Sequence, residues 1–211
     1  MMQMRNQMSL PPVHHGAAFW RFRWPLRTLI ASITVLLFAA LDLGQFCFDR
    51  VAIVHNGEWW RLITSHLVHS NTSHLFWDVI TFAAVSAYLE RKQPDLVVPA
   101  WLLGMVSVNL LLLSPLSDLS YYCGLSGMLF TPLTLAVIIY QRGTSGLIGW
   151  LPMLVCATKL LWELLRTQTL LVNTDWQAYP ESHAAGVIGG LFVYLCVRLK
   201  KPPTLNAHQL A

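Results

Sequence analysis

The sequence predicts an all-α integral membrane protein, a bundle of six spanning helices with a serine opening a short fourth helix and a histidine on the sixth. Three observations carry this. Hydrophobic residues make up 55% of the 211 residues and charged residues only 11%, against about 25% charged in soluble domains. Mean hydropathy is +0.51, so lipid must solvate many of these side chains. Six segments reach or approach the ~20 residues that cross a ~30 Å hydrocarbon layer. The isoelectric point near 9.0 is not matched by a pooled basic patch, and there is no phosphate loop or nucleic-acid motif.

The first segment, 26–48, follows Arg21, Arg23 and Arg27. It is too long for a signal core and has no small-residue cleavage site, so it reads as an uncleaved anchor. The next five are 73–89, 96–114, 126–140, 147–165 and 183–199. Together residues 25–200 form one six-helix domain, flanked by a flexible cytoplasmic arm at 1–24 and a cytoplasmic tail at 201–211. With the N-terminus inside, the cytoplasmic side holds Arg5, Arg21, Arg23, Arg27, Arg91, Lys92, Arg142, Arg198, Lys200 and Lys201. The outer side holds Arg50, Arg61 and Arg166. That asymmetry sets the orientation, with both termini cytoplasmic.

Parity then decides where chemistry can occur. The second, fourth and sixth helices all begin at the outer face, and their openings carry His74 and Asp78, then Ser126, then His183. The fourth segment is short, about 23 Å at the helical rise, which sinks Ser126 below the outer surface. The polar stretch 114–123 must follow it down, and irregular backbone at that depth needs a protein-lined or wet cavity.

A serine hydroxyl is a weak nucleophile until a base takes its proton, and His183 is the candidate base. Free backbone N–H groups at the start of the fourth helix can stabilise an oxyanion. Gly124 and Gly127, flanking Leu125-Ser126, let backbone approach substrate closely. His183, Gly186 and Gly190 share one helix face, and such a small-residue stripe allows close helix contact in lipid. No partner acid stands out, because Asp175 and Glu181 read as solvated loop residues; a Ser126–His183 dyad is the more economical reading. Lys159 and Glu163 are an i, i+4 pair inside an apolar helix, expected to pair with each other and fix packing. The cysteines Cys47, Cys123, Cys156 and Cys196 lack metal-ligand spacing, and no metal or cofactor is expected.

The run Glu58-Trp59-Trp60-Arg61, then His66, His69, His74 and Asp78, with Gly124-Leu125-Ser126-Gly127 and His183-xx-Gly186-xxx-Gly190, resembles the rhomboid intramembrane serine proteases over roughly residues 26–200. The compact form, with Lys159 and Trp162-Glu163, looks most like the rhombosortase branch. The resemblance implies Ser126 as nucleophile, His183 as general base and His74 as an oxyanion donor. It also implies that Trp60-Arg61 belong to a membrane-embedded loop that braces the bundle. Phe130 stands where many rhomboids stack a tyrosine on the histidine. Asp78 stands where the pattern has asparagine, a second oxyanion donor; it is either a buried, protonated acid that donates or a nonfunctional replacement.

The expected partners are membrane lipid and exported proteins bearing a C-terminal transmembrane tail with a glycine-rich motif, a hydrophobic helix and basic residues. The expected location is a bacterial inner membrane, with the site opening to the periplasm. Two alternatives stay open: a general rhomboid cutting other single-span proteins, and an inactive rhomboid-like binder of membrane helices.

Overall fold

A computed structural model describes residues 24–170 and 176–200, the last three by backbone alone. The expected tail, the arm but for Trp24, and Asp175 lie outside the described residues. Among the described residues, six helices of 13 to 21 residues make the bundle: α1 Leu26–Phe38, α5 Thr72–Lys92, α6 Pro94–Leu113, α7 Ser126–Gly143, α8 Gly146–Arg166 and α9 Glu181–Lys200. Three short ones, α2 Leu43–Phe46, α3 Arg50–Asn56 and α4 Arg61–Thr64, lie between α1 and α5. Strands β1 Phe48–Asp49 and β2 Tyr121–Tyr122 pair antiparallel, Phe48 opposite Tyr122. Among the described residues, α6 and α8 are each long and apolar enough to cross a membrane.

The first segment departs most from expectation. A single helix over 26–48 is replaced by α1, a turn and α2. The Asp42 carboxylate accepts the Gly44 N–H at 3.0 Å, so this residue starts a new helix rather than continuing the old one. Thirteen residues of α1 span only about 20 Å. Its start is held from elsewhere: the Glu90 carboxylate accepts the Arg27 N–H at 3.1 Å, and the Thr28 N–H and hydroxyl at 2.9 and 2.7 Å. One side chain at the end of α5 thus satisfies donors that a helix N-terminus leaves open. The fourth long helix is also longer than expected, 18 residues rather than a segment ending at Tyr140. Gln141 and Arg142 continue it, and Arg142 donates to the Tyr194 hydroxyl of α9. At about 27 Å, α7 no longer has to sink its first residue for want of length.

Helix α7 is the axis of the bundle. It packs against α5, α6, α8 and α9, and every residue from Gly127 to Val137 except Leu133 is buried. Helix α8 is the opposite case, with only Gly149 and Glu163 buried. The loop before α5 is pinned by Arg61, which is buried and donates to Glu58 at 2.7 Å and to the Gly44 and Cys47 carbonyls at 2.9 and 2.8 Å. Trp60, beside it, is half exposed. Arg50 ties α3 to the far end of α6 through the carbonyls of Leu112 and Ser117. These arginines hold irregular backbone where carbonyls would otherwise lack partners.

A cavity at three helix starts

The openings of α5, α7 and α9 meet in a cavity of about 290 Å³ whose wall includes His74, Asp78, Ser126, Phe130, Glu163 and His183. Each side chain is delivered by a local start signal. Asn71 caps α5, its side-chain oxygen accepting the His74 N–H at 2.8 Å. Pro180 precedes α9, and its carbonyl accepts the His183 N–H at 3.0 Å. Gly124 lets the chain turn into α7. Its φ is +114°, and a Cβ there would lie 2.5 Å from the His74 ring and 3.3 Å from Asp78. Only glycine satisfies both the backbone angle and the close approach. Its N–H donates to the Ser65 carbonyl at 2.9 Å.

His183 is buried and held on three sides. Its ring stacks on Phe130, centroids 4.4 Å apart and planes at 16°. Gly186 and Gly190, on the same face, lie against the Gly127 carbonyl and Thr134 respectively. The Thr131 hydroxyl donates to the Gly186 carbonyl at 2.7 Å, which locks α9 to α7. The third contact is one that sequence reasoning missed: His183 Nδ1 lies 2.9 Å from Glu163 Oε2. Glu163 reaches His183 from α8, whereas Glu181, expected in a loop, opens α9. A carboxylate can only accept, so Nδ1 carries the proton and Nε2 is left as a base. The Lys159 ammonium donates to Glu163 Oε1 at 2.5 Å and lies 5.3 Å from the centre of the Phe130 ring. The expected Lys159–Glu163 pair exists, but it is part of a larger set.

On the other side of Ser126 the geometry differs from expectation. Asp78 Oδ2 accepts the Ser126 N–H at 3.0 Å. The same oxygen lies 3.2 Å from His69 Nε2 and 3.3 Å from His74 Nε2. The Ser126 N–H is the donor bonded to this oxygen, and the two imidazoles stand in ion-pair range, His69 Nε2 without a hydrogen bond; Asp78 is thus an acceptor here and not the neutral donor expected of it. His74 is likewise committed, with Nδ1 at 3.2 Å from the Ser70 hydroxyl. Both of its nitrogens therefore face protein groups rather than an open oxyanion position. The signal for this was His69, which the sequence shows but whose return toward α5 it does not. His69, His74 and Asp78 could also hold a divalent cation, with ligand-type atoms within 4.8 Å of one another.

Below this shell, His66 is fully buried, and burial pushes its imidazole down to about 4, so it is neutral at ordinary pH. Cys47 and Cys123 are free and buried in one apolar cluster. Burial pushes the Cys123 thiol up to about 12, which makes it a poor nucleophile.

Compared with known protein families, residues 56–200 match the rhomboid domain. Among individual proteins, the chain is similar to one from Bacillus subtilis (strain 168) named "Putative rhomboid protease YdcA". The two are 29% identical over 154 residues, covering 70% of this chain and 72% of the other.

Proposed function

The chain belongs to the rhomboid family, and on that premise we propose that it is an intramembrane serine protease in which Ser126 attacks and His183 is the base. The observation that carries this reading is the shared cavity, into which Ser126 at the start of α7 and the buried His183 of α9 both open. The Ser126 proton passes to His183 Nε2 as the hydroxyl oxygen bonds to the peptide carbonyl. The same proton then goes to the leaving amine, and water releases the acyl group by the reverse sequence. Backbone N–H groups in the first turn of α7, with the helix dipole, supply the oxyanion's hydrogen bonds.

The substrates we propose are exported proteins with a C-terminal tail of glycine-rich motif, hydrophobic helix and basic residues, as in the rhombosortase branch. Lys159 and Trp162-Glu163 support that branch. A six-span topology with both termini cytoplasmic and a periplasmic opening fits the charge distribution. The test is coexpression of a tagged tail-bearing protein with wild type or with Ser126→Ala. Release is expected with wild type only, and lost when the glycine motif of the tail is replaced. Equal cutting of unrelated single-span proteins would favour a general rhomboid instead.

One observation favours a non-cutting binder: the Asp78 carboxylate takes the Ser126 N–H, a donor that an oxyanion would need. Asp78→Asn separates the readings. A carboxamide oxygen still accepts that N–H, but it places no negative charge beside the developing oxyanion. Cleavage by Asp78→Asn is therefore expected to equal or exceed wild type. Asp78→Leu strands buried donors at about 1–3 kcal/mol each and should unfold at lower temperature. A greater than roughly tenfold loss in Asp78→Asn, well beyond the loss of one neutral hydrogen bond, at unchanged stability would show that the charge itself is required.

A further inference from the structure

We propose that Glu163 is the third member of the reacting set, a positioning residue that fixes and charges His183, so that this chain works through a Ser126–His183–Glu163 triad. The proposal rests on the serine-protease reading and deepens it.

The geometry is that of a built acid rather than a chance neighbour. The Glu163 side chain is 0% exposed, and Oε2 faces His183 Nδ1 at 2.9 Å. Oε1 is held separately, by the Lys159 ammonium at 2.5 Å and by the Leu170 N–H at 2.8 Å. One oxygen is thus anchored and the other directed. A buried carboxylate needs such partners to stay ionised, and Lys159 supplies the charge without competing for His183. Lys159 also sits over the Phe130 ring, whose plane covers the imidazole. Glu163, Lys159, Phe130 and His183 thus form a closed ring of contacts, so the tautomer and the direction of His183 are set together. A pair needed only for helix packing would require Lys159 and Glu163 alone. The contact to His183 is extra, and it crosses from α8 to α9.

In the reaction, the Ser126 proton moves to Nε2 and no further. Nδ1 keeps its proton and Glu163 stays a carboxylate, whose negative charge stabilises the imidazolium formed. Charge balances at each stage, because the imidazolium and the tetrahedral oxyanion appear and vanish together.

Among the described residues, the charged and titratable groups that share the cavity with His183 are Cys156, Lys159 and Glu163 from α8, His74 and Asp78 from α5, and Tyr121, Tyr122, Cys123 and Tyr179 from the connecting segments. From α7, Phe130 stacks on His183 and Ser126 shares the cavity wall, and neither carries charge. Of these, only Glu163 touches the imidazole nitrogen, so the pH profile isolates it. The experiment compares wild type, Glu163→Gln, Glu163→Asp and Lys159→Met in detergent, measuring cleavage of a tail peptide against pH and reaction with a fluorophosphonate serine probe. Glu163→Gln is expected to lower kcat and probe labelling by about a hundredfold or more, with substrate affinity unchanged. Its acid limb should move down by about one unit, because the imidazolium loses its nearby opposite charge. Glu163→Asp should restore part of the rate and return the limb toward wild type. Should Glu163→Gln fail to fold, Lys159→Met carries the pH test, because it changes the charge beside the imidazolium while leaving Glu163 in place. An unshifted acid limb in Glu163→Gln, or in Lys159→Met where Glu163→Gln does not fold, or a Glu163→Gln rate within about threefold of wild type, overturns the triad. Cleavage surviving in Ser126→Ala would instead overturn the serine-protease reading beneath it.

Discussion

Alanine at Ser126 is expected to abolish release of a tail-bearing substrate, and alanine at His183 to do so to the same extent. Groups that act as a unit are not additive: in serine proteases the loss of the serine or of the histidine alone costs on the order of 10⁶-fold, about as much as the loss of all. The Ser126→Ala/His183→Ala double variant should therefore be no worse than either single one. Binding of the tail should survive in all three, since the cavity wall is drawn from several helices and loops rather than from two side chains. Titrating each variant with a fluorescent tail peptide, alongside single-turnover cleavage, checks both halves. Cleavage by Ser126→Ala, or additive losses in the double variant, would remove Ser126 and His183 from their roles.

The second large effect is expected from one methyl group. A Cβ at Gly186 would lie 2.1 Å from the Gly127 carbonyl oxygen and 2.8 Å from the Phe130 Cβ. The first of these is backbone and cannot swing aside, so α9 must move away from α7. His183, one turn earlier, moves with it. A displacement of ~1 Å at reacting groups can cost about a hundredfold in rate, and overpacking costs about 1–3 kcal/mol in stability. Gly186→Ala should show both losses. Gly190→Leu should follow the same course, because its added atoms would meet Thr134 and the Thr131 carbonyl. Gly143→Ala is the control: a Cβ there meets nothing within 4 Å, and activity should be unchanged. A fully active, fully stable Gly186→Ala enzyme would mean that the α7–α9 contact does not set the position of His183.

Some of this arrangement is legible from residues alone. The meeting of His74, Ser126 and His183 follows from counting apolar segments, since alternate helices must start on one side. The packing face of α9 follows from the spacing of His183, Gly186 and Gly190. What escaped notice shares a physical character. Lys159 and Glu163 satisfy each other within one helix turn, so nothing local signals a further contact to His183 on another helix. Asp78 reads as a donor while its neighbourhood is unknown; the capture of the Ser126 N–H makes it an acceptor. The break after Phe38 is hidden because the residues beyond it are apolar enough to continue a span. The cue there is the short polar side chain of Asp42, which stabilises a new helix start more than it resists the old one.

The burial of α7 on four sides has a consequence for how the molecule matures. Its contacts with α5 form among residues already synthesised, but its longest seam is with α9, the last made of the described helices. Until α9 arrives, the strip containing Gly127 and Thr131 has lipid for a neighbour and the cavity lacks one wall. Pairings this distant along a chain are made late. A ribosome-bound or truncated chain ending before Pro180 would thus hold Ser126 without His183. Synthesis itself acts as the safety catch on the proposed chemistry, which is available only once α9 closes against the rest.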